Sequence, residues 1–147
     1  MGMFIYGLGL KPRRREPMQV PVYAVTITEK EGIRGDHRGK NKDRQVALIS
    51  IQQWREACDE LHINAPWWTR RACVSVYGHL FGPNDIRKLI YFERGVVLQV
   101  TMETQLCPRM DEVHPGLVGA LANWRGGVCT SVICGGTLTQ DEKFTIL

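Results

Sequence analysis

Cys107 stands directly before Pro108 and two residues before Arg109, in the stretch TQLCPRM (104–110), with Asp111 and Glu112 just behind. A thiol in that setting is either a reactive nucleophile or a buried loop cysteine; the first reading rests on the thiolate being the reactive form and a nearby cation favouring it. Pro108 biases the cysteine toward extended backbone and removes the next amide donor, so no helix or regular ladder is expected to continue there. Asp111 and Glu112 would oppose the thiolate if they faced the same way. The other four cysteines offer less. Cys58 falls on an apolar helical stripe and reads as a small buried hydrophobe. Cys73, Cys129 and Cys134 sit in strand-like segments and read as half-buried strand residues. The five cysteines form no C-x-x-C pair and no disulfide framework. The four histidines neither pair as H-x-x-x-H nor approach the cysteines, so no metal site is expected. His37 and His114 remain as acid–base candidates, and neither is assigned a catalytic role.

Charge leaves two readings open, an anionic partner or a merely basic, solvated surface. From Lys11 to Arg44 the chain has ten Lys/Arg and five Asp/Glu, whereas the rest has nine against ten. This one segment therefore carries the whole excess. Arginines outnumber lysines thirteen to six, and the planar guanidinium suits bidentate contacts to phosphate or carboxylate. Aromatic residues do not interleave with the basic ones, as stacking on single strands requires, so nucleic acid is not an expected partner. No apolar run approaches the ~20 residues needed to cross a bilayer. The opening MGMFIYGLGLKPRRR puts its basic residues after the apolar ones, which makes a poor export signal. A cytoplasmic protein without a membrane contact is expected.

Short strands separated by turn signals must position these groups. The strand-like segments are 19–28, 44–50, 73–78, 95–101, 128–134 and 143–147, with weaker candidates near Phe4 and at 87–92. Their spacing and the Gly/Pro punctuation favour a barrel or sandwich over repeated βαβ units. Two helices interrupt them. SIQQWREACDELH begins with Ser50 as an N-cap and Gln53 at capping-box spacing, then places Ile51, Trp54, Cys58 and Leu61 at helical intervals. HPGLVGALANWRGG offers Pro115 in a first turn and sets Leu117, Val118 and Leu121 on one face. Between the strands, KEGIRGDHRGKNKD (30–43) is glycine-rich, charged and nearly free of apolar residues, so it is a long surface loop of the kind that often carries function. In NAPWWTRR, Trp67 and Trp68 stand beside Arg70 and Arg71. They could line a site for a flat heterocycle, form an oligomer contact, or divide into one core and one exposed indole.

The order of several short motifs resembles the MOSC domain, found at the C-terminus of molybdenum-cofactor sulfurases and as small stand-alone proteins. The motifs are GIRGDHRGKNKDRQVALIS, TRRACVSVYG, LQVTMETQLCPRM, PGLVGAL and RGGVCTSVICGGTL, and the resemblance runs from about Ile5 to the last residue. It implies a mainly β chain: a single domain over 1–147, mostly an antiparallel β-barrel with two or three short helices. It implies one characteristic cysteine after a central strand, which is Cys107, as a sulfur-bearing nucleophile. Gly35 and Asp36 match the family's glycine–aspartate loop, together with Gly32. Arg44 and Gln45 match the polar pair entering the next strand, and Arg70 and Arg71 match a paired basic motif. Asp36 would either orient an arginine or cap the glycine turn, while Arg109, Arg44 and Arg70 or Arg71 would neutralise the ligand. The implied ligand is the molybdenum cofactor or a related anionic heterocycle, and the implied partners are a molybdoenzyme or a sulfur-donor protein. The alternative is a non-catalytic module binding a cofactor or partner in a molybdenum-dependent oxidoreductase system, including one that detoxifies N-hydroxylated bases by reduction. The chain departs from the family pattern at Ala72 and Cys73, where asparagine is usual shortly after the arginines. It departs again in the GPND insert near residue 83, and at Asp141 and Glu142, where Gly-Asp is usual.

Overall fold

The computed structural model describes residues 2–147. Seven strands form the main sheet: β1 (Phe4–Leu8), β4 (Val46–Ser50), β5 (Val74–Tyr77), β6 (Leu89–Phe92), β7 (Val97–Glu103), β8 (Val128–Cys134) and β10 (Phe144–Ile146). Their order is β1-β5-β4-β8-β7-β6-β10, antiparallel throughout except between β4 and β5. The Phe4–Lys143 bridge and the Ile5 amide bond to Glu142 O (2.8 Å) bring the two edges together, so the sheet is a nearly closed barrel. Closure removes the row of unpaired edge amides that an open sheet would expose. A second sheet sets β2 (Ala24–Thr28) between β3 (Gly32–Ile33) and β9 (Gly136–Thr139). The mainly β, mostly antiparallel barrel expected above is therefore present.

Period-two alternation decides which residues fill the barrel. On β4, Val46 and Leu48 join the interior cluster with Ile5, Val74, Leu98 and Val128. Ile49, and Ala47 in part, turn outward to a second cluster built around Trp54, Trp67, Leu117 and Leu121. That outer cluster is covered by α1 (Ile51–Leu61), which crosses between the parallel strands β4 and β5. Ser50 caps it, its Oγ accepting the Gln53 amide at 3.4 Å, and His62 ends it in the left-handed region at φ 54°. Two four-residue helices complete the cover, α2 (Met110–Val113) and α3 (Leu117–Ala120).

Several elements differ from the sequence expectation, among them the unexpected strands β3 and β9. Only 24–28 of the segment 19–28 is strand, because Pro21 lacks the donor a ladder needs, and Gln19 pairs instead with Leu10. The helix expected across 114–127 stops after one turn, where Asn123 and Trp124 take positive φ of 62° and 73°. A helical turn, α2, forms directly after Pro108, where none was expected: the Met110 and Asp111 amides donate back to Cys107 O and Pro108 O. At the 139–142 turn, Asp141 takes φ 68°, the left-handed conformation that glycine would supply at no steric cost. Glu142 beside it is buried, and its carboxylate accepts the amides of Thr139 and Arg94, each at 2.9 Å.

Candidate functional site

The outer face of the β4–β8 pair floors a cavity of about 900 Å³. Ala47 and Cys129 are register partners there and both line it, with Thr104 just beyond β7. One wall is the 3-10 turn Trp67–Arg70 with Arg71, and another is the 104–113 segment carrying Cys107, Arg109 and Met110. Lys11 and residues 14–18 border it, and Arg38 and Arg44 enter from the charged loop and its end. Lys11 and seven arginines line the cavity, against a single carboxylate, Glu16.

Arg38 is held by a local fork. Its Nε donates to Asp36 Oδ1 and its Nη2 to Asp36 Oδ2, both at 2.9 Å, while its Nη1 donates to the Arg71 carbonyl. Asp36 Oδ2 also accepts the Lys11 amide at 2.7 Å and the Cys73 thiol at 3.2 Å, and Oδ1 accepts the Arg38 amide at 3.0 Å. Burial would push this carboxyl up. The Arg38 bonds, the Lys11 amide and the Cys73 thiol outweigh it and hold Asp36 below the usual carboxylate range. Asp36 thus both orients an arginine and ties down its own loop. Cys73, at the departure from the usual asparagine, is fully buried, and burial drives its thiol up. It acts as a hydrogen-bonding partner of Asp36 and Arg38 in addition to its place at the start of β5.

The remaining cations are less satisfied. Lys11 is only 7 % exposed, and burial together with repulsion from Arg71 and Arg38 depresses its pKa, Asp36 opposing. Arg70 donates from Nε to Gly126 O at 3.0 Å, a carbonyl that also accepts Thr104 Oγ1 at 2.8 Å. Burial and the Arg38 charge lower its pKa, against the pull of Cys129 and Cys107. Arg44 is the last residue of the 3-10 turn Lys42–Arg44, which Asn41 caps. Cys107 is exposed at the cavity, and Cys129 is buried on its floor. Burial raises the Cys129 thiol, opposed by Arg44 and Arg70.

The structure therefore gathers Cys107, Arg109, Arg44, Arg70 and Arg71 around one space. Gly35, Asp36 and Gln45 do not line it. Gly35 makes the turn before Asp36, with φ 86°. Gln45 is buried, donating to Glu29 O at 2.7 Å and accepting the Val132 amide at 2.8 Å, so it ties the loop to β8. Gln45→Ala should accordingly destabilise the protein by about 1–3 kcal/mol, the cost of a buried donor and acceptor left unpaired. Denaturant titration measures this, and an unchanged midpoint would remove the structural role. Neither His37 nor His114 lines the cavity. Trp67 is buried, whereas Trp68 is 41 % exposed and lines the cavity mouth, their rings edge to face at 5.7 Å. Lys11, Arg38 and Cys129 were not singled out from sequence. Their signal was the excess of charge over 11–44 and the alternation of β8, but neither identifies individual side chains.

Solved structures show the same architecture. The YuaD protein of Bacillus subtilis matches at a TM-score of 0.86 and 18% identity, over 99% of this chain and 96% of that one. YiiM of Escherichia coli matches at 0.71 and 15% identity, over 99% and 68%. The fold is MOSC-like. YiiM of Geobacillus stearothermophilus extends the set, at 0.73 and 15% identity over 99% and 75%. No family model matches the sequence, and no curated protein does. Within this MOSC-like fold the cavity lies outside the barrel, between the strand floor and the turns that follow β7 and precede β5.

Proposed function

We propose that this MOSC-like protein binds the molybdenum cofactor or a related anionic heterocycle and carries sulfur on Cys107. The observation that carries this reading is an exposed thiol on a cavity of about 900 Å³ whose lining holds eight cations and one carboxylate. A volume near the upper end of the ~300–1,000 Å³ typical of small-molecule sites has room for a pterin-sized ligand. The donor set fits the group: guanidinium forks suit a phosphate, and the open face of Trp68 suits a flat ring. When bound, the cofactor would supply a sulfur-ligated molybdenum centre. Arg38, Arg44, Arg70 and Arg71 would hold its anionic groups and Trp68 would contact its ring system.

Sulfur loading needs only this chain and a persulfide-bearing donor. The Cys107 thiolate attacks the outer sulfur of R–S–SH, so a bond forms between Cys107 Sγ and that sulfur. The donor's S–S bond breaks, R–S⁻ departs with the electron pair, and the proton left on the new persulfide passes to that thiolate. Arg70 lies near enough to Cys107 for their charges to interact, and Arg109 lines the same wall. Both stabilise the anionic persulfide product.

The test is mass spectrometry after exposure to a persulfide donor. Wild type should gain one sulfur on the peptide containing residue 107, and Cys107→Ser should gain none there while keeping its fold. Equal labelling of that variant would defeat the assignment. A wild type that binds ligand but never acquires sulfur would instead mark a non-catalytic binding module, separable because Cys107→Ala would then bind normally while charge reversal at Arg44 or Arg71 would not.

A further inference from the structure

Among the described residues, Cys107 and Cys129 are the thiols that line the cavity, and the loading step above uses the first alone. Cys129 lies on the floor, 8 % exposed. Its partner across β4 is Ala47, a side chain too short to cover it, so its sulfur side stays open to the cavity. The segments that carry the two cysteines are tied together at one junction. Thr104 donates its amide to Gly127 O at 3.0 Å and its hydroxyl to Gly126 O at 2.8 Å. Cys107 stands three residues beyond Thr104, and Cys129 three beyond Gly126. Arg70 is anchored at the same junction, its Nε donating to Gly126 O at 3.0 Å. The charges of both cysteines act on that guanidinium.

We infer that Cys129 receives the sulfur loaded on Cys107, so that the cavity relays it from an exposed thiol to one on its floor. The relay rests on the reading under Proposed function for its first step. In the second, the Cys129 thiol gives up its proton and attacks the outer sulfur of the Cys107 persulfide. A bond forms between Cys129 Sγ and that sulfur, and the bond joining it to Cys107 Sγ breaks. Cys107 leaves as a thiolate with the electron pair and takes up the proton, so no oxidant or reductant is consumed. The added sulfur extends the reach of Cys107 by one S–S bond, about 2 Å. Burial favours the neutral Cys129 thiol, which keeps it from being loaded directly, while Arg44 and Arg70 supply positive charge to its thiolate as it attacks. A sulfur held on the floor is sheltered from bulk water and lies beside the space a ligand would fill.

The experiment follows an isotopically labelled outer sulfur, given by cysteine persulfide tethered to agarose beads so that the donor meets exposed thiols only. The protein is the full chain carrying Cys134→Ser, which removes an exposed thiol outside the cavity from the stretch that also holds Cys129. The beads are removed after loading, samples are alkylated at successive times, and peptide mass spectrometry locates the label. It should appear on residue 107 first and then on Cys129, as that on residue 107 declines. Adding Cys107→Ser should leave Cys129 unlabelled, and adding Cys129→Ala or Cys129→Ser should hold the label at residue 107. Label that never leaves residue 107 in the chain with both cavity thiols would overturn the relay and leave the loading reading standing. Equally fast labelling of Cys129 in the Cys107→Ser chain would also overturn it. So would release of sulfide with a Cys107–Cys129 disulfide, the mark of attack on the inner sulfur. Absence of label from both thiols would defeat the two readings together.

Discussion

Asp36→Ala should cost the protein on the order of 3 kcal/mol at neutral pH and largely abolish phosphate binding. Its carboxylate, 3% exposed, pairs with Arg38, whose side chain is 31% exposed. Truncation would leave that guanidinium half-buried without its fork and strand the Lys11 amide and the Cys73 thiol. Arg38 would lose the contacts that fix it at the cavity. The effect carries a pH signature whose sign follows from the depressed carboxyl. A carboxylate held lower when folded than when unfolded adds stability that is fully present above its unfolded pKa of about 3.9, and this contribution drains away as pH falls through the lower native value. Wild type and variant should therefore differ most at pH 7 and converge in strong acid. Urea unfolding at pH 7 and pH 3 measures this, and equal stabilities at pH 7 would rule out the fork as a stabilising element.

Gly39→Ala should be at least as damaging, on the order of 3 kcal/mol or more. A Cβ at Gly39 would collide with the Glu31 carbonyl and come within 3.1 Å of the Gly32 amide nitrogen. Both are backbone, so no side-chain rotation relieves the clash. The loop would have to lift off β3, carrying Arg38 with it. Gly35→Ala makes the useful contrast, because a Cβ there meets nothing within 4 Å and only the positive φ of 86° is strained. That strain costs about 1–2 kcal/mol. Thermal melts should rank wild type above Gly35→Ala and Gly35→Ala above Gly39→Ala. If Gly39→Ala melted with wild type, the loop could not pack as described.

The parts of the fold that could be read from sequence are those whose determinants are local. Strand 128–134 alternates β-branched residues over its full length and matches β8, and SIQQWREACDELH carries both its cap and its stripe, which reappear in α1. Gly136–Thr139 has no comparable pattern. It becomes β9 because Thr137 and Leu138 find Thr26 and Val25 across the chain, a long-range pairing that no window of residues contains. The candidate site divides in the same way. Cys107 stands apart because Pro108 and Arg109 adjoin it, and Asp36 and Arg38 lie two residues apart. Cys73 joins them from 37 residues away. Cys129 reaches the cavity only because β8 lies against β4, leaving its outward face uncovered beside Ala47.

The mutual repulsion around Lys11 also bears on how the protein behaves in isolation. A cavity lined by eight cations should attract small anions from ordinary buffers, since each would lower the repulsion among them. The anionic ligand proposed above would then enter by exchange, and its apparent affinity should track the counter-anion of the buffer. Chloride- and phosphate-based media would report different constants for the same molecule.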